Sequence, residues 1–540
     1  MNRSIIRKRL GLLLFITGYL VAVYWVFTRS APPATDGVVT IRIAHWQIEL
    51  GPPDGIAAVI KRYEELNPKV RVKQVMVPGQ VYRQWMRANF AGDNAPDIVE
   101  YGAFLDGLSD LPVRYFQPIT EELLVANPYN QGTALEGIPW QKTFHDELLE
   151  QRLNSPEPGQ YYAVTMSRGS LRLYCNQELL EKVTGSKEPP PDFEGMRQLF
   201  QQTADYAEKQ GKTIMPFAGS RDNAVWMMSF YMGGVINSLG QKLDTDGYLG
   251  LYARQTQWKF LNGEWSYQEP EVKAAFALLA EISEQMRPGY MSFLRDEAYR
   301  QFFRGESIFI FAGTWDATTL RRLADFHVSV LRCPQPTQSD PVVGRYMLGH
   351  YADGYNMTGF GFYLNKRGPN RKQALDFMRF MTSYEGSKLF TDKSGWVPSI
   401  KTVPVAPEIE SYISPEDGVG YGGPNLSLGG GTRSIFASNF HHLIGQEGSV
   451  DKLAKALDEV MPAAAREALQ VEQRSASWAM LPQDTRIVAL GGLLEVDPEN
   501  SKLILRRERL EAAQNLSEAR ALLLRRQLEL TADFGSQRDP

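Results

Sequence analysis

Apolar and polar positions along the first part of the chain separate short strands from longer helices. Val38–Ala44 (VVTIRIA) alternates and is rich in β-branched residues, which predicts a strand. Ile56–Leu66 repeats its apolar residues at helical spacing and stops at Asn67-Pro68. Val70–Val77 predicts a second strand, Tyr82–Ala91 a helix, and Pro96–Glu100 (PDIVE) a short buried strand. Strand, helix, strand, helix, strand is the order of an α/β lobe on a parallel sheet.

A second block begins after Tyr161. Leu171–Cys175 reads as a strand, Gln177–Lys182 opens a helix, and the prolines of Pro189–Pro191 break the chain before a long helix at Phe193–Lys209. A helix at Val272–Gln285, strands at Ser307–Phe311, Phe326–Leu331 and Thr358–Leu364, and a helix at Lys372–Phe390 follow. Gly418–Gly431 is a glycine-rich loop without the spacing of a phosphate cradle. Near the C-terminus Leu505, Ala512, Leu516, Ala519, Leu523 and Leu530 recur at heptad-like spacing. This predicts an amphipathic helix packed on the body rather than a coiled-coil partner surface, because Arg509 and Arg526 interrupt the seam.

The N-terminus sets the compartment. Arg3, Arg7, Lys8 and Arg9 precede Leu10–Phe27, a run without a charged residue. A basic flank before an apolar run keeps the N-terminus in the cytoplasm and sends the remainder across the membrane. Tyr24, Trp25 and Phe27 suit a membrane interface, and no small-x-small cleavage site follows, so the run is expected to remain as a transmembrane anchor rather than leave as a signal.

Composition narrows the classes. Hydrophobic residues make up 43% and charged residues 22%, an ordinary globular balance, and a formal charge of −4 gives no electrostatic case for nucleic acid. Two cysteines, Cys175 and Cys333, cannot build a disulfide framework or a four-cysteine zinc site, and they are expected as free, buried thiols. No cofactor or metal is expected.

Several segments together resemble family 1 of the extracellular solute-binding proteins, the group with the maltose-type binding proteins of ABC importers. They are Ile41–Trp46, Val70–Val75, Ala95–Glu100, Leu171–Val183, Phe302–Trp315 (FFRGESIFIFAGTW), Thr358–Leu364 and Ala374–Ser399. Their order and spacing over residues 38–470 carry the likeness. The resemblance implies a two-lobed α/β fold of the type II periplasmic-binding-protein class. Lobe 1 takes residues 38–160 and 335–400, and lobe 2 takes 165–330 with part of 400–470. Residues 1–9 form a cytoplasmic tail, 10–27 the anchor and 471–540 a helical C-terminal extension. It further implies a small polar ligand in the cleft, a carbohydrate first among them, an ABC permease as partner, and an extracytoplasmic location.

Sugar recognition needs flat apolar faces for ring C–H groups and charged or amide groups for hydroxyls. Trp315, after Gly313 at a strand end, matches the family's stacking tryptophan, with a core tryptophan as the alternative. Trp46 and Glu49 lie in the loop after the first strand, and Tyr101 and Asp106 follow the third; Trp46 could equally cap a core, and Asp106 could be a turn residue before Gly107. In the second lobe the resemblance points to Arg168, Asn223 and Trp226, the last also readable as helix core, with Asp316 and Phe360 completing the set. An enzyme would need paired carboxylates such as Glu64-Glu65 or Asp146-Glu147, which read as solvated pairs. A third alternative is an anchored sensor or scaffold that kept the lobes and lost the ligand.

Overall fold

The computed structural model describes residues 17, 37–102, 111–149, 151, 155, 159–245, 247, 251, 253–350, 357–414, 417–419, 423–429, 432–444 and 447–534. The chain opens with β1 (Val39–His45), α1 (Pro52–Leu66), β2 (Val70–Met76), α2 (Gly79–Ala91) and β3 (Ile98–Glu100). There follow β4 (Ala163–Gly169), β5 (Leu171–Asn176), α3 (Phe193–Gln210), β6 (Met215–Phe217), α4 (Arg221–Leu243) and α5 (Pro270–Ser283). Next come α6 (Arg295–Phe303), β7 (Ser307–Gly313), α7 (Ala317–Leu323), β8 (Val328–Leu331), β9 (Met357–Leu364), α8 (Arg371–Met381), α9 (Tyr384–Ser394) and β10 (Val397–Pro398). Two long helices, α10 (Val450–Val496) and α11 (Ser501–Phe534), end the chain.

Two sheets define two lobes. The first has six strands in the order β10-β4-β9-β3-β1-β2 and the second four in the order β6-β7-β5-β8. β1 runs parallel to β2 from Val39↔Val70 to His45↔Met76 and parallel to β3, as the βαβ pattern requires. β9, which returns from the other lobe, joins the first sheet antiparallel, and β10 pairs antiparallel with β4 at its edge. Ile41, Ile43, Ile56, Val59 and Phe390 fill the core of lobe 1, while Phe217, Phe276, Phe309 and Leu279 lie in that of lobe 2.

The chain first crosses at Ser170, between β4 in one sheet and β5 in the other. That places β4 in lobe 1, although a boundary near residue 165 was expected. Cys333, Val343 and Met347 still pack into the core of lobe 2, so the return falls later than residue 335. Both thiols are buried, and Cys333 Sγ donates to the Tyr231 hydroxyl at 3.0 Å.

The C-terminal extension does not begin at residue 471. α10 starts at Val450, where the Ser449 hydroxyl caps it by accepting from the Lys452 N–H at 3.2 Å. Its Leu453, Leu457, Met461, Ala465 and Leu469, spaced by four on one face, are fully buried in lobe 2. Only beyond them does α10 leave the body to pair with α11. Among the described residues no helix is long and apolar enough to cross a membrane, and the expected anchor at 10–27 lies, apart from Thr17, outside them.

Candidate ligand site between the lobes

The wall on lobe 1 is set from beneath by a buried acid. Glu100, at the end of β3, accepts from the Trp46 N–H at 2.9 Å and from Gln47 Nε2 at 2.6 Å, which fixes the loop after β1. Burial pushes the Glu100 carboxyl well above the usual range, against those two hydrogen bonds, and nearby Glu49 adds to the rise. The Trp46 ring meets Tyr82 edge-on at 5.1 Å and packs on the lobe core, while Glu49 is carried toward lobe 2.

The wall on lobe 2 grows from β7, which is buried along its whole length. Its end delivers Thr314, Trp315 and Asp316 in one short helical turn. Gly313 is required here for closeness rather than for backbone freedom. A Cβ at that position would lie 2.1 Å from the Trp315 ring. The ring also covers Gly169, where a Cβ would come within 3.2 Å. Trp315 therefore leaves from lobe 2, sits over the first crossing and packs against the apolar cluster of lobe 1.

Trp226, on α4, meets Trp315 at 5.7 Å with the ring planes 89° apart. Arg295, the first residue of α6, lies over the Trp226 ring at 5.6 Å and the Tyr299 ring at 5.5 Å. Its guanidinium pairs with Asp316, donates to the Tyr299 hydroxyl at 3.2 Å and reaches Glu49 of the opposite lobe at 3.8 Å. Burial lifts the Asp316 carboxyl above its ordinary value, while Arg295 and Tyr299 hold it down. Burial works against the Arg295 charge, yet Asp316 and its other neighbours more than offset this and raise the guanidinium further. Arg295 Nε is buried with no hydrogen-bond partner among the described residues.

The structure thus brings Glu49, Trp226, Trp315 and Asp316 together and takes other expected positions elsewhere. Tyr101 is buried between Tyr363 and Phe116 at 5.0 and 5.7 Å. Phe360 lies in the core of lobe 1 against His45, Phe390 and Trp396. Asn223 is buried and ties α4 to β7, its Nδ2 donating to the Phe311 carbonyl at 2.7 Å. Arg168 binds the Pro398 carbonyl at 3.1 Å, joining β4 to β10 beside the crossing. Asp106 lies outside the described residues. Sequence reasoning passed over Arg295 and Tyr299, which sit one helical turn apart just ahead of the FFRGESIFIFAGTW segment; that spacing was the available signal.

Carboxylates proposed for an enzyme have structural roles. Glu64 accepts from the Val72 N–H at 2.8 Å, Glu65 pairs with Arg62 at 3.2 Å, and Glu147 with Lys401 at 3.3 Å. The rings of His441 and His442 lie 4.0 Å apart, tilted by 38°. Among the described residues no three metal-ligating side chains converge. Two open depressions lie away from the tryptophan pair. One of about 580 Å³ is lined by Ala57, Ile60, Lys61 and Arg71, and another of about 440 Å³ by Thr318, Arg321, Asp392 and Tyr412.

A family model described as bacterial extracellular solute-binding protein matches residues 58–414. Among solved structures the chain is similar to a chitin oligosaccharide binding protein, at 17% identity and a TM-score of 0.54, over 80% of this chain and 99% of that one. The GacH receptor of Streptomyces glaucescens, solved unliganded and with acarbose, aligns at 15% identity and a TM-score of 0.54 over 78% and 97%. An ABC substrate-binding protein of Listeria monocytogenes in complex with cycloalternan aligns at 14% identity and 0.54 over 79% and 99%. No curated protein matches the chain in sequence.

Proposed function

Since the chain belongs to the bacterial extracellular solute-binding proteins, we propose that it captures a carbohydrate, most simply an oligosaccharide, between its lobes and hands it to an ABC importer. The observation that carries this reading is the perpendicular Trp226–Trp315 pair beside the Glu49–Arg295–Asp316 array. Two ring faces at right angles suit the C–H surfaces of successive sugar units, and the charged array suits their hydroxyls. The buried, unpartnered Arg295 Nε is a donor that a ligand oxygen would satisfy. The ligands named for the similar structures are of the same chemical class.

Because Glu49 comes from one lobe and Arg295 from the other, a ligand that replaces or bridges their contact favours one lobe arrangement over others, and an importer reads that arrangement. The protein acts outside the cytoplasm, and the apolar run at 10–27 tethers it to the membrane face. No bond is made or broken in this scheme; the protein binds rather than catalyses.

The test is a thermal-shift screen of mono- and oligosaccharides followed by calorimetry. A ligand bound only by the folded state raises the melting temperature. Trp315→Ala is expected to weaken binding of that ligand by about tenfold or more, roughly 1.4 kcal/mol, while the chain stays folded. Equal affinity for both forms would remove Trp315 from the site. The absence of any shift across the screen would favour the sensor or scaffold alternative.

A further inference from the structure

The heptad stripe of α11 faces away from the body. α11 meets α10 through Leu510, Ala513, Ser517, Ala521 and Leu524, all buried. Leu505, Leu516, Leu523 and Leu530 lie on the other side, 47%, 58%, 50% and 37% exposed, with Ala512 and Ala519 exposed between them. The expectation that this stripe packs on the body is thereby overturned. An exposed apolar strip of this length on a protein surface marks an interaction site.

The strip is its own complement. Positions 505 and 530, 512 and 523, and 516 and 519 are each equidistant from a centre between Ser517 and Glu518. An antiparallel copy of α11 therefore sets Leu505 against Leu530, Ala512 against Leu523 and Leu516 against Ala519. Large side chains meet small ones in the inner layers, so two helices can close without voids. Arg509 and Arg526, which interrupt the strip, are symmetric about the same centre. Glu508 and Glu529 flank them on one edge, and Arg526 already lies 3.5 Å from Glu529. At each end of such a pair Arg509 of one copy faces Arg526 of the other, with Glu508 and Glu529 beside them. Arginine meets arginine in either orientation, but a parallel pair would set Ala512 against Ala512 and Leu516 against Leu516, which leaves the seam unevenly filled.

We propose that two copies of the chain associate through α11, antiparallel about a two-fold axis near Ser517. The contact is isologous, each copy using the same strip. Residues 505–530 span about 39 Å at 1.5 Å per residue, and with a helix width of about 10 Å the footprint is roughly 400 Å² per copy. The two copies together bury about 800 Å², below the roughly 1,000 Å² of a stable specific interface, so pairing through this strip is expected to be weak, reversible and concentration-dependent.

Cysteine crosslinking of the full-length chain in the cells that express it tests this directly. The two native thiols are buried and contribute little background. In the proposed pair, the two copies of position 519 are about 4.5 Å apart along the axis and those of position 530 about 38 Å apart. A short bismaleimide is therefore expected to join two copies of the Ala519→Cys variant but not two copies of Leu530→Cys. A mixture of Leu505→Cys and Leu530→Cys copies should give the mixed dimer. Adding Leu516→Glu and Leu523→Glu to Ala519→Cys should cut the crosslinked fraction at least tenfold with no change in melting temperature, since both leucines are exposed. Crosslinking of Leu530→Cys with itself as strongly as Ala519→Cys would refute the antiparallel pair. Adducts only of other masses, or no adduct from Ala519→Cys, would refute self-association.

Discussion

Replacing Arg295 with methionine keeps most of the stem over Trp226 and removes the charge. Asp316, only 1% exposed, then meets the cost of burial without its guanidinium. Removing one partner of a buried ion pair typically costs about 3–5 kcal/mol. Here a ceiling applies, because the carboxyl can escape by taking a proton. From an ordinary pKa of 3.8, protonation at pH 7 costs about 4 kcal/mol at roughly 1.36 kcal/mol per unit, and at pH 5 only about 1.6 kcal/mol. The loss in the variant is therefore expected to approach about 4 kcal/mol at pH 7 and to shrink by about 2.7 kcal/mol at pH 5.

The sign follows from proton counts. In the Arg295→Met variant the native state holds a proton on Asp316 that the unfolded chain has released above about pH 4, so stability falls as pH rises. Urea unfolding of the parent chain, Arg295→Met and Arg295→Met/Asp316→Asn at pH 5, 6 and 7 measures this. The double variant should recover most of the loss at pH 7 and be insensitive to pH over this window relative to the parent. A deficit for Arg295→Met that is equal at pH 5 and pH 7, or a double variant no more stable than the single one, would show that Asp316 is not held by Arg295.

Three further changes probe the supports of the site. Glu100→Gln keeps the shape of a carboxyl that burial pushes upward, and the Gln47 amide can turn to accept from the new amide; it should be near neutral at pH 5. As pH rises through the elevated native pKa the parent chain loses stability and the variant does not, so thermal unfolding at pH 8 should favour the variant. His45 is fully buried and burial depresses it to about 4, so the unfolded chain takes up its proton first as pH falls below 6.5. The parent should lose about 2 kcal/mol from this group between pH 7 and pH 5, and His45→Gln should be spared that loss in denaturant titrations. Gly313→Ala forces the Trp315 ring to shift, at about 1–3 kcal/mol by overpacking; calorimetry should show weakened ligand binding while circular dichroism remains unchanged.

The fold was legible where side chains alternate against a single partner surface. β1 and β2 carry that period-two signal, and their parallel register follows from the intervening helix. The position of the crossing was not, because β4 is buried on both faces through Ser167, its Thr165 and Ser167 included, and has no exposed face to mark where lobe 1 ends. Within the site, Trp315 announced itself by following Gly313 at a strand end. Tyr101 has a similar address but turns into the core, since successive side chains leave a strand on opposite sides and the address alone does not say which. Arg295 was hidden by its neighbours: Asp296, Glu297 and Arg300 make its segment look like a solvated helix face, which is what most such segments are. Its burial depends on Trp226, Asp316 and Glu49, which come from remote parts of the chain.

The C-terminal helix gives the opposite lesson. Heptad spacing in Leu505–Leu530 was plain, yet spacing shows only that a stripe exists and is silent on what faces it. α11 has a second periodic face, of Ala513, Ser517 and Ala521, and it is this small-residue face that lets α10 approach closely. If burial in the isolated chain were the sole demand on α11, the leucines would be better placed on that inner face, where each would gain about 1.5–3 kcal/mol on full burial. Their position outside, where an antiparallel pair sets Ala512 against Leu523 and Leu516 against Ala519, is accounted for by a second demand on the helix, contact with another copy of itself.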